Sequence, residues 1–283
     1  FGLRRTFDFN MAMALNKFVM FVAMPALGFQ LLANAPLAEF NFAMLGGYFV
    51  TEVVMYAVGF LIARRVFKTD VMEAALLGLA IALTNHILFV LPIAVTLFGE
   101  TAATPIVAII SMDGILIFSG SLILMDVLST KGTSVGHTLG KIARNPPLVA
   151  MVLGLVVGLL GVSVPTGFDV FADFLGATAS PVLLFALGVI LSQKAGGARP
   201  MLPVAITAVK LVVHPLLAWA IFSGVLQLTP EVRNPAMMVA AAPCGAMCFM
   251  LALNYGVRVD TIARAVLYSS IGSLVTITVS ASL

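Results

Sequence analysis

Glu52, Asp113 and Lys210 each stand inside a run of otherwise apolar residues. An ionised group in the middle of a hydrocarbon layer costs about 2.5–3.5 kcal/mol on insertion scales, so each needs a partner or water. Two chemistries are open to them: a permanent ion pair that orders packing, or a group that takes up a proton or a cation during a working cycle. Asn85 and His86 share a further apolar run, and His214 follows Lys210 by four residues. Asparagine offers hydrogen-bond donors without a repelling charge, which suits a carboxylate or another small anion. The two histidines read as neutral, hydrogen-bonded members of helix contacts. Lys17, near the end of its run, reads as a side chain that snorkels to the interface.

Helix breakers supply the second set. Pro92 lies seven residues after Asn85, and Pro243, Cys244 and Gly245 interrupt another apolar run. Proline removes one N–H and disturbs a neighbouring helical bond, leaving polar backbone that hydrocarbon does not satisfy. A bound anion satisfies it, helped by the partial positive charge at a helix N-terminus. Asn85, Pro92, Pro243, Cys244 and Gly245 are therefore the candidate anion-binding residues, and Asp113, Lys210 and Glu52 the candidate coupling or charge-pair residues. Cys244 and Cys248, four apart, fit small buried packing residues better than a metal or redox pair. No catalytic residue, metal or organic cofactor is expected, and H+ or Na+ are the candidate coupling ions. An intramembrane hydrolase using His86, Asp113 or His214 as a base is the rival reading, but no GxSxG or HExxH spacing accompanies them.

The elements that position these groups belong to a membrane. Of 283 residues, 61% are hydrophobic and 10% charged, and the mean hydropathy is +1.13. Soluble domains average about 45–50% apolar and 25% charged. The net charge of +3 resides in short clusters between apolar runs, with no continuous basic face, which excludes nucleic acid as a partner and leaves lipid. Nine runs are long enough to span a bilayer: 11–33, 40–62, 73–98, 103–126, 147–163, 169–192, 201–226, 235–255 and 260–282. One set of alternate loops holds Arg4, Arg5, Arg64, Arg65, Lys68, Lys131, Lys141, Arg144, Lys194, Arg199, Arg258 and Arg264, whereas the opposite set holds Arg233 alone. The positive-inside rule then puts the Phe1 end and the 127–146 loop in the cytoplasm and Leu283 outside.

The chain also repeats. At a shift of 156 residues Leu15, Pro25, Phe29 and Leu31 meet Phe171, Pro181, Phe185 and Leu187; at 157, Phe98-Gly99 meets Tyr255-Gly256 and Thr104 meets Thr261. Matching runs are five apart, an odd number, so the halves insert in opposite senses, a transporter signature. Phe1 falls opposite Val157, within the run 147–163, so most of a first span is expected to be missing and the visible runs are spans two to ten. The expected fold is an all-α membrane protein of ten helices in a 5+5 inverted repeat: residues 1–126 as the first repeat, 127–146 as a cytoplasmic linker and 147–283 as the second repeat.

Several motifs resemble the auxin efflux carrier family, in its prokaryotic branch: LNKFV with PALGF from Pro25, NHILFVLPIAVTLFG from Asn85, ARNP at Ala143 to Pro146, SPVLLFALG from Ser180, KLVVHP from Lys210, and AAAPCGA with ALNYGVRVD on span nine. The resemblance covers essentially the whole chain. It implies a fold related to bile-acid/sodium symporters, with spans one, two, six and seven as scaffold and broken spans four and nine crossing at the centre of a transport domain. It further implies that Asn85 helps bind a carboxylate near that crossing. Two positions depart from the plant exporters: Cys248 replaces a second proline on span nine, and Tyr48 stands where they place an acid.

The resulting expectation is a secondary transporter of small organic anions, malonate-like carboxylates among them, working by alternating access in the cell (inner) membrane. An ion-independent weak-acid exporter and a membrane anion sensor are the alternatives, and a homodimer through the scaffold helices is left open.

Overall fold

The computed structural model describes residues 7–129, 135–192 and 199–282; the expected remnant of a first span at Phe1 to Arg5 lies outside them. The described residues are helical, and their one β-type pairing is an isolated bridge. Six helices have the length and apolarity to cross a membrane: α1 (Phe9–Ala33), α2 (Phe42–Val66), α5 (Ala103–Ser129), α8 (Thr166–Ser192), α9 (Met201–Val225) and α12 (Asp260–Ala281). Between them lie α3 (Val71–Ala82), α4 (residues 86–98), α6 (Val135–Ile142), α7 (Pro146–Leu160), α10 (Pro230–Ala240) and α11 (Met247–Asn254). Six of the nine apolar runs are thus continuous spanning helices, and the run 147–163 is the shorter helix α7. The other two are each split: 73–98 into α3 and α4, and 235–255 into α10 and α11.

Local chemistry explains where helices begin and widen. Asp8, Asn41 and Asp70 cap α1, α2 and α3 by accepting from Met11, Met44 and Glu73 N–H at 2.9 Å. Single π-turns at Val19–Ala23, His86–Val90 and Val209–Val213 each end two residues before a proline: Pro25, Pro92 and Pro215. A proline ring collides with the carbonyl four residues earlier, and a widened turn moves that carbonyl aside without ending the helix.

Packing follows the small residues. α1 lies against α7 and α8, and a Cβ added at Gly176 would come within 2.9 Å of the Leu27 backbone. One added at Gly154 would collide with the Phe29 carbonyl. Such close backbone approach is how membrane helices associate where burial of apolar surface gives no drive. Large side chains instead face outward, including Leu160, Phe174, Leu216 and Val275.

The buried interior forms two apolar clusters. One holds Met55, Leu77, Leu122, Ile206, Leu253 and Ile262; the other holds Met44, Val90, Ile106, Phe222, Val239 and Ile277. Five segments pass from one cluster to the other at buried polar residues: Thr51 and Glu52, Thr84 and His86, Asp113, Lys210 and His214, and Ser269 and Ser273. A polar layer therefore lies across the middle of the bundle.

Candidate functional site

Two interrupted helices meet in that layer. Between α3 and α4 residues 83–85 leave the helix, as do residues 241–246 between α10 and α11. The two stretches pair antiparallel through Thr84 and Cys244. Asn85 N–H donates to the Pro243 carbonyl at 3.3 Å, and Gly245 N–H donates to the Leu83 carbonyl at 2.8 Å. Further groups freed by the breaks are also satisfied: Cys244 N–H by Ser269 Oγ at 3.0 Å, the Ala241 carbonyl by Thr276 Oγ1 at 2.6 Å and the Val239 carbonyl by Thr84 Oγ1 at 3.3 Å. Unsatisfied, each would cost several kcal/mol in hydrocarbon. Glycine is required at 245 because a Cβ would lie 2.9 Å from the Leu83 oxygen.

A tethered cation organises the crossing. Lys210, fully buried on the π-turn of α9, donates to Thr84 Oγ1 at 2.7 Å and to His214 Nδ1 at 2.9 Å. An ammonium only donates, so His214 Nδ1 accepts and the imidazole proton resides on Nε2. Nε2 in turn meets Thr51 Oγ1 at 3.2 Å, and Thr51 passes its own proton to the Tyr48 carbonyl at 2.6 Å. The ammonium thus sits just past the C-terminal ends of α3 and α10, where helix dipoles favour positive charge.

The acids lie beside it. His86 Nε2 is 2.8 Å from Asp113 Oδ2, an ion-pair contact without hydrogen-bond alignment. The Glu52 and Asp113 carboxyls lie close enough to act on each other, and both act on Lys210. Glu52 is fully buried, and neither of its oxygens has a hydrogen-bond donor among the described residues.

A cavity opens on this layer between α1, α8 and the crossing. Its polar lining is Thr84, Asn85, His86, Asp113 and Ser180; Ala246 and Met247 contribute the N-terminal end of α11, and it leaves about 50 Å³ for the centres of water-sized molecules. The N-termini of α4 and α11 both begin at this place, so two positive dipole ends meet one cavity.

The sequence candidates are therefore distributed unequally. Asn85 lines the cavity while its backbone N–H holds the crossing. Pro243, Cys244 and Gly245 form the crossing backbone but lie behind the cavity wall, and the Gly245 N–H is already taken by Leu83. Pro92 is exposed at the second position of the regular helix Leu91–Phe98, outside the cavity lining. The break falls seven residues earlier because a π-turn absorbs the proline. Asp113 reaches the cavity, whereas Glu52 and Lys210 lie in the layer behind it. Cys248 donates its thiol to the Gly245 carbonyl at 2.8 Å, a packing role. Thr51, Thr84, Ser180 and Ser269 were not singled out as site residues from the sequence; the signal for His214 and Lys210 acting together was their four-residue spacing on one helix face.

The model of the family described as "Membrane transport protein" matches residues 2–281. The chain is also 27% identical over 269 residues, 93% of its own length and 84% of the relative's, to a protein of Rhizobium meliloti (strain 1021) named "Putative malonate transporter".

Proposed function

We propose that this chain, which belongs to the membrane transport protein family, the auxin efflux carriers, is a secondary transporter that moves a small carboxylate by alternating access. The observation that carries the reading is the cavity at the crossing, where Asn85 and the N-termini of α4 and α11 converge on one space. Donors without a fixed local cation suit an anion that must leave again. Malonate is the first substrate to test, on the strength of the relative's name. The carrier would sit in the cell membrane with the 127–146 loop in the cytoplasm and Leu283 outside.

A ten-helix inverted repeat is the architecture behind this reading. Supporting it, four of the five positive-φ residues among the described residues fall in corresponding places of the two halves: Lys68 and Gln227 after α2 and α9, and Gly99 and Gly256 after α4 and α11. Both broken helices lose their helical bonds at one meeting point. α1, α7 and α8 would then serve as scaffold, and the remaining spans as the moving body.

A thermal-stability screen tests the substrate. Malonate and related dicarboxylates should raise the melting temperature of the purified protein saturably, because a ligand that binds only the folded state stabilises it. No shift with any small carboxylate at millimolar concentration would contradict the reading.

A further inference from the structure

We propose that Glu52 and Asp113 share one proton, taken from water when an anion enters the cavity, and that this carboxyl pair is the proton site of the carrier.

The groups around the pair set the charge that it must balance. As an ammonium, Lys210 donates to Thr84 and His214. His214 is fixed as the neutral Nε2–H tautomer between Lys210 and Thr51. Cys244 lies beside Lys210, and Tyr48 on the helix of Glu52 faces both acids. His86 reaches Asp113 from the other side at 2.8 Å. With both carboxyls ionised and His86 neutral, two negative charges face one positive charge among buried side chains. A shared proton removes the excess charge and supplies the hydrogen bond that the buried Glu52 oxygens lack.

The same proton links the pair to the substrate. Asp113 lines the cavity, so an ionised pair repels an incoming carboxylate and a protonated one does not. Anion affinity and proton uptake then favour each other by the same factor. This step rests on the anion reading of the cavity; the protonated pair itself does not.

Infrared difference titration of the purified, substrate-free protein should show a protonated-carboxyl band that falls with rising pH and disappears in Glu52→Gln. If that variant folds poorly, Asp113→Asn should shift the same band. Absence of a titrating band, or its survival unchanged in both variants, overturns the shared proton. With malonate added in weak buffer above the pH at which the unliganded pair titrates, about one proton should be taken up per anion. Above the pH at which the pair titrates, malonate affinity should fall about tenfold per pH unit in wild type and stay flat in Glu52→Gln. Affinity that follows Na+ concentration at fixed pH, with no proton taken up, would assign the pair to sodium and overturn the proposal. Should malonate fail to bind while the band behaves as described, the proton site stands and the substrate reading fails.

Discussion

The Lys210 ammonium lies 2.7 Å from the Thr84 hydroxyl, and that hydroxyl caps the Val239 carbonyl, so one cation closes the ends of two helices from opposite halves of the chain. A free metal ion in that position would be redundant. Exchanging Na+ for K+ or choline should therefore leave uptake within twofold of its original rate. A strict Na+ requirement would show that the ammonium does not fill the cation's place.

Removing the ammonium tests the same relationship from the side of stability. Lys210→Met leaves Thr84, His214 and the two acids without their cation, and breaking a buried charge set costs about 3–5 kcal/mol. The variant should melt well below wild type. A melting temperature within a degree or two of wild type would remove Lys210 from the crossing's support.

Asn85 separates binding from folding because its two parts do different jobs. The backbone N–H holds Pro243, and the side chain is the proposed anion donor at the cavity that Asn85 lines. Asn85→Ala keeps the first and deletes the second. Loss of a hydrogen bond to a charged ligand corresponds to about 1.5–3 kcal/mol, a ten- to hundredfold weaker malonate affinity, with little change in the stability of the unliganded protein. Unchanged affinity would exclude Asn85 from the site.

The sequence made the membrane class, six of the nine spans and the rare polar groups within the apolar runs readable, because long apolar runs and rare charges are local signals. Glu52, Asp113 and Lys210 stood out for that reason, and the structure gathers them. The partners were not readable. Lys210 binds Thr84, and Asp113 meets His86, contacts that depend on how separate helices rotate against each other. Pro92 marked a disturbed helix correctly but not the position of its break, since a π-turn relieves the proline's clash and the chain unwinds instead at Leu83 to Asn85.

Gly245 tests the crossing itself. Alanine there would bring Cβ within 2.9 Å of the Leu83 carbonyl, and backbone on both sides has little room to yield. Gly245→Ala should destabilise the protein by about 1–3 kcal/mol and weaken malonate binding, whereas Gly188→Ala, with open space around its Cβ position, should do neither. Equal behaviour of the two variants would mean that the close approach at the crossing is not required.

Asp113→Asn distinguishes coupling from packing. A carboxyl that carries a proton predicts that accumulation against a gradient collapses while substrate exchange across the bilayer survives. A packing pair predicts lower stability with wild-type pH dependence of transport. Accumulation against a gradient with unchanged pH dependence would exclude Asp113 from coupling.

Counterflow in proteoliposomes is the most direct measurement of the central claim. Vesicles preloaded with unlabelled malonate and diluted into a trace of labelled malonate should transiently concentrate the label, because only a carrier that returns loaded in both directions exchanges solute in this way. Wild type should show the transient, and Asn85→Ala should show it only at higher malonate concentration. Label that merely equilibrates, or that never enters although malonate stabilises the protein, would contradict a carrier and leave a protein that binds the anion without moving it.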